Sequence, residues 1–497
     1  MFEDIQYKEI FQFFQEISQI PHGSGNEEEL SNYVKAFAEG LSLEVYQDAA
    51  YNLLIRKPGS AGREAEPSLL IQGHLDMVCE KDHGSPHNFE TDPIALKLDG
   101  DWLFADRTTL GGDDGIAGAY AMALMSDTTH SLPPLEILLT TGEETGLLGA
   151  NYFDTSQIRS KRMINLDSEK EGTVLISSAG GAKLQFHTRL TRSVQPDGYI
   201  PVTVRIYGLK GGHSGEDINK KRGNANKLMS RYLFGWYNHC PNTRLVSIDG
   251  GVKDNAIPRE CTAKLWVPGD LSEEVERGCW WFGEDLAKEF GGTDSQAKIA
   301  LEWADIARDP EGWSLEPCSN EDTGRILSFL NLAPDGVQNM SHVIEGLVET
   351  SCNLGILRTD EDIWTGVVSL RGSQRDQLLA MKEKFYILSG MNQIEMQVFS
   401  EYPGWEYREE SALRQRYCAV YQRLFGKEAG MEAIHAGLEC GIFAKAIPDL
   451  DIISIGPDIV DIHSPSERMS VSSVQRTWEL LLAMLEQEES ATVVERT

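Results

Sequence analysis

Leu69-Leu70-Ile71-Gln72-Gly73 is a short apolar run that ends in His74-Leu75-Asp76, so a buried strand must deliver an imidazole and a carboxylate at its tip. Side chains two apart on a strand lean to the same side. Such a pair suits a metal, because the ring can ligate through one nitrogen while a carboxylate holds the other N–H and fixes the tautomer. Taken alone, a His-x-Asp in an acidic chain is more often a surface polar pair, by roughly four to one. Four further clusters shift that balance: Gly111-Gly112-Asp113-Asp114-Gly115, Thr140-Thr141-Gly142-Glu143-Glu144, Ile164-Asn165-Leu166-Asp167-Ser168-Glu169 and the distant Asp461-Ile462-His463-Ser464-Pro465. Each has an ordinary explanation by itself: a helix cap at Asp113-Asp114, a solvated pair at Glu143-Glu144, a strand end at Asp167, an inert loop at His463. Their joint order and their placement after apolar runs argue for one site.

A chain of 497 residues is too long for one ordinary core, and two domains of unequal size are expected. With 41% hydrophobic and 25% charged residues it reads as a globular protein. A formal charge of -32 with no basic stripe excludes a nucleic-acid surface. No apolar stretch approaches the roughly 20 residues that span a bilayer, so no membrane partner is expected. The eight cysteines show no Cys-x-x-Cys pairing, and the first residues lack the basic and apolar regions of a secretion signal. Free thiols in the cytoplasm are the expectation.

Helical spacing predicts helices over Tyr7–Ile17 and Glu27–Leu41, and strands over 52–56, 69–73, 135–140, 163–166 and 174–176, with a helix from Gly115 to Met125 between them. Residues 94–104 signal a hairpin turning at Asp99-Gly100. This mixture describes an α/β fold, a sheet covered by helices on both faces. The candidate ligands fall just past strand ends, where open α/β sheets place their sites. After Ala179-Gly180-Gly181 the pattern changes to amphipathic strands and helices, read as an inserted α+β domain over 181–402. Its two halves look loosely alike, which leaves an internal duplication open. Residues 403–497, with a helix from Ser411 to Phe425, a strand at 451–456 and a helix over 472–486, are expected to rejoin residues 1–180 in one discontinuous domain, since His463 is otherwise a ligand without a site.

Two divalent metals roughly 3.5–4 Å apart need a bridging carboxylate, terminal His or carboxylate ligands and a shared water. These clusters supply all of them. Asp113 or Asp114 can bridge from a helix start, and of Glu143 and Glu144 one can ligate while the other handles the water proton. Competing signatures are absent: there is no His-Glu-x-x-His, no Gly-x-Ser-x-Gly and no Walker lysine loop.

Gly73-His74-Leu75-Asp76-Met77-Val78, Thr109 to Gly115, Thr141 to Glu144, Leu166 to Glu169 and His463-Ser464-Pro465 together resemble the di-zinc peptidase family that includes aminoacylase and carnosinase. Gly208 to Gly215, Gly251 to Arg259, Glu349 to Gly355 and His435 to Gly441 extend the resemblance over nearly the whole length. It implies a discontinuous di-metal catalytic domain with an inserted lid, and two divalent ions, zinc first, with manganese or cobalt as alternatives. His74 and Asp167 would hold one ion, Glu144 and His463 the other, with Asp113 bridging. Asp76 would support His74, Glu143 would be the general base, and His213 would stabilise the oxyanion. Asn255, Arg371 and Gly437 resemble substrate-end positions. The usual Asp-Asn after the glycine turn is Asp113-Asp114 here, which leaves open which aspartate bridges. The implied activity is hydrolysis of unblocked dipeptides, including Xaa-His and carnosine-like ones, by a homodimer. The rivals are an N-acyl amino-acid deacylase and a catalytically silent metal-binding scaffold.

Overall fold

Continuous Leu/Ile runs make strands buried on both faces, and every residue of Leu69–His74 and Leu135–Thr140 is buried. The structure, a computed structural model, describes residue 2 and residues 5–311 and 313–486. It has two compact units, one made of Met1–Ser177, Tyr407–Ala433 and Leu438–Thr497, the other of Ser178–Glu406 and Ile434–Gly437.

The first unit is built on an eight-stranded mixed sheet. At its centre Leu135–Thr140, Leu69–His74, Arg162–Asn165 and Asp451–Ser454 lie side by side and parallel. Their carboxyl ends therefore share one rim, and His74 sits opposite Thr140 on it. Leu53–Lys57 and Glu44–Gln47 continue the sheet antiparallel beyond Leu135–Thr140. On the other flank come Thr173–Ser178 and Gly430–Ile434.

The helix Gly112–Ser126 is buried on all sides, and its glycines let neighbours approach. A β-carbon on Gly118 would lie 3.0 Å from Ile17 Cδ1 of the helix Lys8–Ser18, and one on Gly73 would lie 2.5 Å from Asp114 Oδ2. Asp113 and Asp114 have non-helical dihedrals, so regular helix starts at Gly115. Tyr120 of this helix stacks on Trp478 of the C-terminal helix Val471–Leu485, with centroids 5.7 Å apart and planes at 10°. Its hydroxyl donates to the Val474 carbonyl at 2.8 Å.

The hairpin forms as Leu96–Asp99 and Trp102–Ala105. Its two-residue turn is Gly100-Asp101, one place later than Asp99-Gly100, because Asp99 still pairs with Trp102 while Gly100 alone of the two takes positive φ, at 59°. Arg468–Ser470 pairs with this hairpin and Ile459–Val460 pairs with Arg468–Ser470. That small ribbon fixes both ends of the loop carrying His463.

The second unit carries a nine-stranded sheet whose neighbouring strands pair antiparallel, running from the edge strand Lys298–Trp303 to Glu395–Tyr402. Phe186, Phe329, Phe385 and Trp364 form the aromatic centre of its core.

Candidate metal centre

Three of the four strand ends on the shared rim lead to candidate ligands: His74 at the end of its own strand, Glu143 and Glu144 after Leu135–Thr140, and Asp167 after Arg162–Asn165. His74 closes its strand and is 1% exposed. Its Nδ1 lies 3.0 Å from the Asp76 carbonyl and 3.3 Å from Asp76 Oδ1, and its Nε2 lies 3.1 Å from Asp113 Oδ1. The other Asp113 oxygen is 3.2 Å from His463 Nε2, which is also 2.9 Å from Glu144 Oε1. One carboxylate thus stands between two imidazoles that are 389 positions apart in sequence (463 minus 74). Asp167, two residues past its strand, brings Oδ1 to 3.9 Å from His74 Nε2. Two groups of possible ligand atoms result, His74 with Asp113 and Glu144, and His74 with Asp114 and Asp167, the atoms of each within 4.8 Å of one another.

Of the two aspartates left open by the sequence, Asp113 is the one that faces both histidines. Asp114 is fully buried, its Oδ2 accepting the His74 N–H at 3.1 Å. Asp76 holds the opposite side. Its carboxylate accepts the N–H groups of Glu143 at 3.0 Å and Glu144 at 3.2 Å, and the Ser24 hydroxyl at 2.8 Å.

The electrostatics expose a charge imbalance. Burial pushes Glu143 well above the usual carboxylate range; His74 opposes this, and Glu144, Glu439 and Asp113 add to the rise. Burial raises Asp167 as well, with Asp113 contributing against the pull of His74. Against the opposing effect of burial, hydrogen bonds to Asp113 and Glu144 lift His463 to about 11. Asp113, Asp114, Glu143, Glu144 and Asp167 gather about the imidazoles of His74 and His463, and divalent cations are what such a nest of oxygen and nitrogen donors accepts. The mixed His/carboxylate set fits zinc, manganese or cobalt.

Three positioning groups were given no role in the sequence reading. Ser24 holds Asp76 from the loop after Lys8–Ser18. Glu439 is fully buried below the rim, taking hydrogen bonds from Gln72 Nε2 at 2.5 Å and Thr140 Oγ1 at 2.6 Å. Burial moves its pKa up to about 7. Glu467 binds the backbone before the Gly115 helix. Its place four residues after His463 is the one signal that the sequence offered.

The remaining expected residues lie in the second unit and form a polar group there. His213 pairs with Ala256 in a two-residue ladder, and the Asn255 carbonyl accepts the Ser214 N–H at 2.8 Å. Arg371 Nη1 donates to the Tyr402 hydroxyl at 3.3 Å, and a β-carbon on Gly437 would meet Tyr402 Cε2 at 2.7 Å. His435, which the sequence reading did not single out, places Nε2 2.7 Å from Ser351 Oγ. Burial, with Arg371 nearby, brings its pKa down to about 3, so the ring is neutral.

Residues 70–487 match the model of peptidase family M20/M25/M40. The cytosol non-specific dipeptidase of Escherichia coli K12 is 37% identical over 481 residues, covering 96% of this chain and 97% of that one. The crystal structure of aminoacylhistidine dipeptidase from Vibrio alginolyticus superposes with a TM-score of 0.88 at 33% identity, over 98% of this chain and 99% of that one. A tripeptidase from Staphylococcus aureus shares the fold at 14% identity, with a TM-score of 0.57 over 97% and 98% of the two chains. With a matched stretch that takes in every group on the rim from His74 to His463, the chain belongs to peptidase family M20/M25/M40.

Proposed function

We propose that this protein is a metal-dependent dipeptidase that hydrolyses unblocked dipeptides in the cytoplasm, Xaa-His and carnosine-like ones among them. The observation that carries the reading is the Asp113 carboxylate set between His74 and His463, with the Glu143-Glu144 turn pinned beside it by Asp76. Two relatives that match nearly the full length are named as dipeptidases, one of them for aminoacylhistidine substrates.

His74 and Asp167 would hold one divalent cation, Glu144 and His463 the second, with Asp113 shared and zinc the first choice. Bound there, the cations supply an acidified water and polarise the peptide carbonyl. Glu143 takes the proton from the attacking water and delivers it to the departing amine nitrogen. Asp76 keeps His74 in one tautomer and holds both glutamates through their amides. Family resemblance assigns the second unit's His213 to the oxyanion and its Asn255, Arg371 and Gly437 to the rest of the peptide, with the guanidinium suited to a terminal carboxylate.

The test is Glu143→Ala, assayed for metal content and dipeptide hydrolysis. Retained metal with turnover down by at least ~100-fold is expected; near-normal turnover removes Glu143 from the role. Faster cleavage of an N-acetyl dipeptide than of its free form would make the enzyme a deacylase instead. No hydrolysis of any dipeptide by fully metallated wild type would leave a binding scaffold.

A further inference from the structure

Glu467 lies in the loop between the strands Ile459–Val460 and Arg468–Ser470 and is 3% exposed. Its carboxylate accepts four consecutive backbone N–H groups: Oε2 from Leu110 at 2.8 Å and Gly111 at 3.3 Å, Oε1 from Gly112 at 2.8 Å and Asp113 at 3.4 Å. Its own N–H donates to the Ser464 carbonyl at 3.0 Å. One residue therefore ties the turn that presents Asp113 to the turn that presents His463, and these are the two side chains that meet at 3.2 Å. A neutral residue here would strand buried N–H groups at a helix start, where no intrahelical acceptor exists. The packing is close as well, since a β-carbon on Gly112 would stand 3.2 Å from Glu467 Oε1.

We propose that Glu467 is a positioning residue of the metal centre, clamping the Asp113 turn against the His463 turn so that both side chains address the same cation. The inference rests on the metal-centre reading above. It adds a residue that touches neither substrate nor cation and acts through two that do.

The experiment titrates the metal-free full-length protein with Co2+ against a competing chelator, following visible absorption, at a temperature well below thermal unfolding. Wild type and Glu467→Gln are compared, with His463→Ala as the control that removes a ligand. The glutamine keeps the shape but turns an NH2 group toward two of the N–H donors. The expected result is native circular dichroism with cobalt affinity weakened at least ~10-fold and an altered absorption band, as when a group supporting a ligand is lost. Wild-type affinity and band shape in Glu467→Gln would overturn the proposal, even with a lowered unfolding temperature, because a purely structural brace predicts that combination. Should Glu467→Gln fail to fold, Gly112→Ala displaces the same carboxylate by tenths of an ångström. It must then show a smaller weakening in the same direction, and unchanged binding overturns the proposal. If wild type gives no cobalt signal that His463→Ala diminishes, the metal-centre reading itself falls.

Discussion

Asp76 ties together more of the site than any ligand does, since it touches His74, Ser24 and the amides of both glutamates. Asp76→Asn retains shape but presents an NH2 group to donors, and turnover of the fully metallated variant is expected to fall about 10- to 100-fold. Unchanged steady-state kinetics would show that the Glu143-Glu144 turn holds itself. Glu439 offers a pH test. Its carboxyl group rises from an ordinary 4.5 to about 7 on folding, through burial, so the folded state binds a proton that the unfolded state releases across that interval. Stability from this group is therefore present at low pH and lost as pH climbs through about 7. In the metal-free protein, Glu439→Gln should gain on wild type by up to about 1.4 kcal/mol per pH unit through that interval in denaturant titrations; parallel pH curves would refute it. At this scale the apolar runs and glycine turns pointed to the clusters around His74, Asp113 and Glu144, while the choice of His74, Asp113, Glu144, Asp167 and His463 as the ligand set came from the family resemblance. Ser24, Glu439 and Glu467 were not, since their partners are backbone amides and polar neighbours that only the folded chain brings near.

Four parallel strands aim their ends at one rim, and the element that completes it is the helix Gly112–Ser126. Its contact with Lys8–Ser18 depends on the absence of a side chain at Gly118, 3.0 Å from Ile17 Cδ1 when a β-carbon is built. Gly118→Val forces those helices apart and should cost about 1–3 kcal/mol, typical of an overfilled core. Chemical denaturation reads the loss, and no change would mean that the N-terminal helix can yield freely. For the helices read at Tyr7–Ile17, Glu27–Leu41, Ser411–Phe425 and 472–486 the limits came within a residue of those observed: Ser411 was read as the start and is in fact the cap, its side chain accepting the Arg414 N–H. The short ribbon of Ile459–Val460 and Arg468–Ser470 was invisible, because two- and three-residue strands are too brief for alternation to register.

For the molecule as a whole, the acidic character and the metal centre bear on each other. A net charge of -32 already strains the compact state, and stripping cations from the rim leaves its carboxylates unbalanced. Dialysis against a chelator should abolish hydrolysis and lower the unfolding temperature, and zinc, manganese or cobalt should restore both. A cation held at 1,000 times its dissociation constant adds about 4 kcal/mol. An unfolding temperature indifferent to chelation would argue that no tight cation site exists.

The placement of Asp451–Ser454 between Arg162–Asn165 and Thr173–Ser178 also dictates an order of events at the ribosome. Both neighbours are made before residues 179–437, which hold nearly all of the second unit, and the strand that lies between them is made after those residues. Only then does the tail arrive to fill the slot and bring His463. A chain that stops short of residue 451 therefore lacks both this strand and His463.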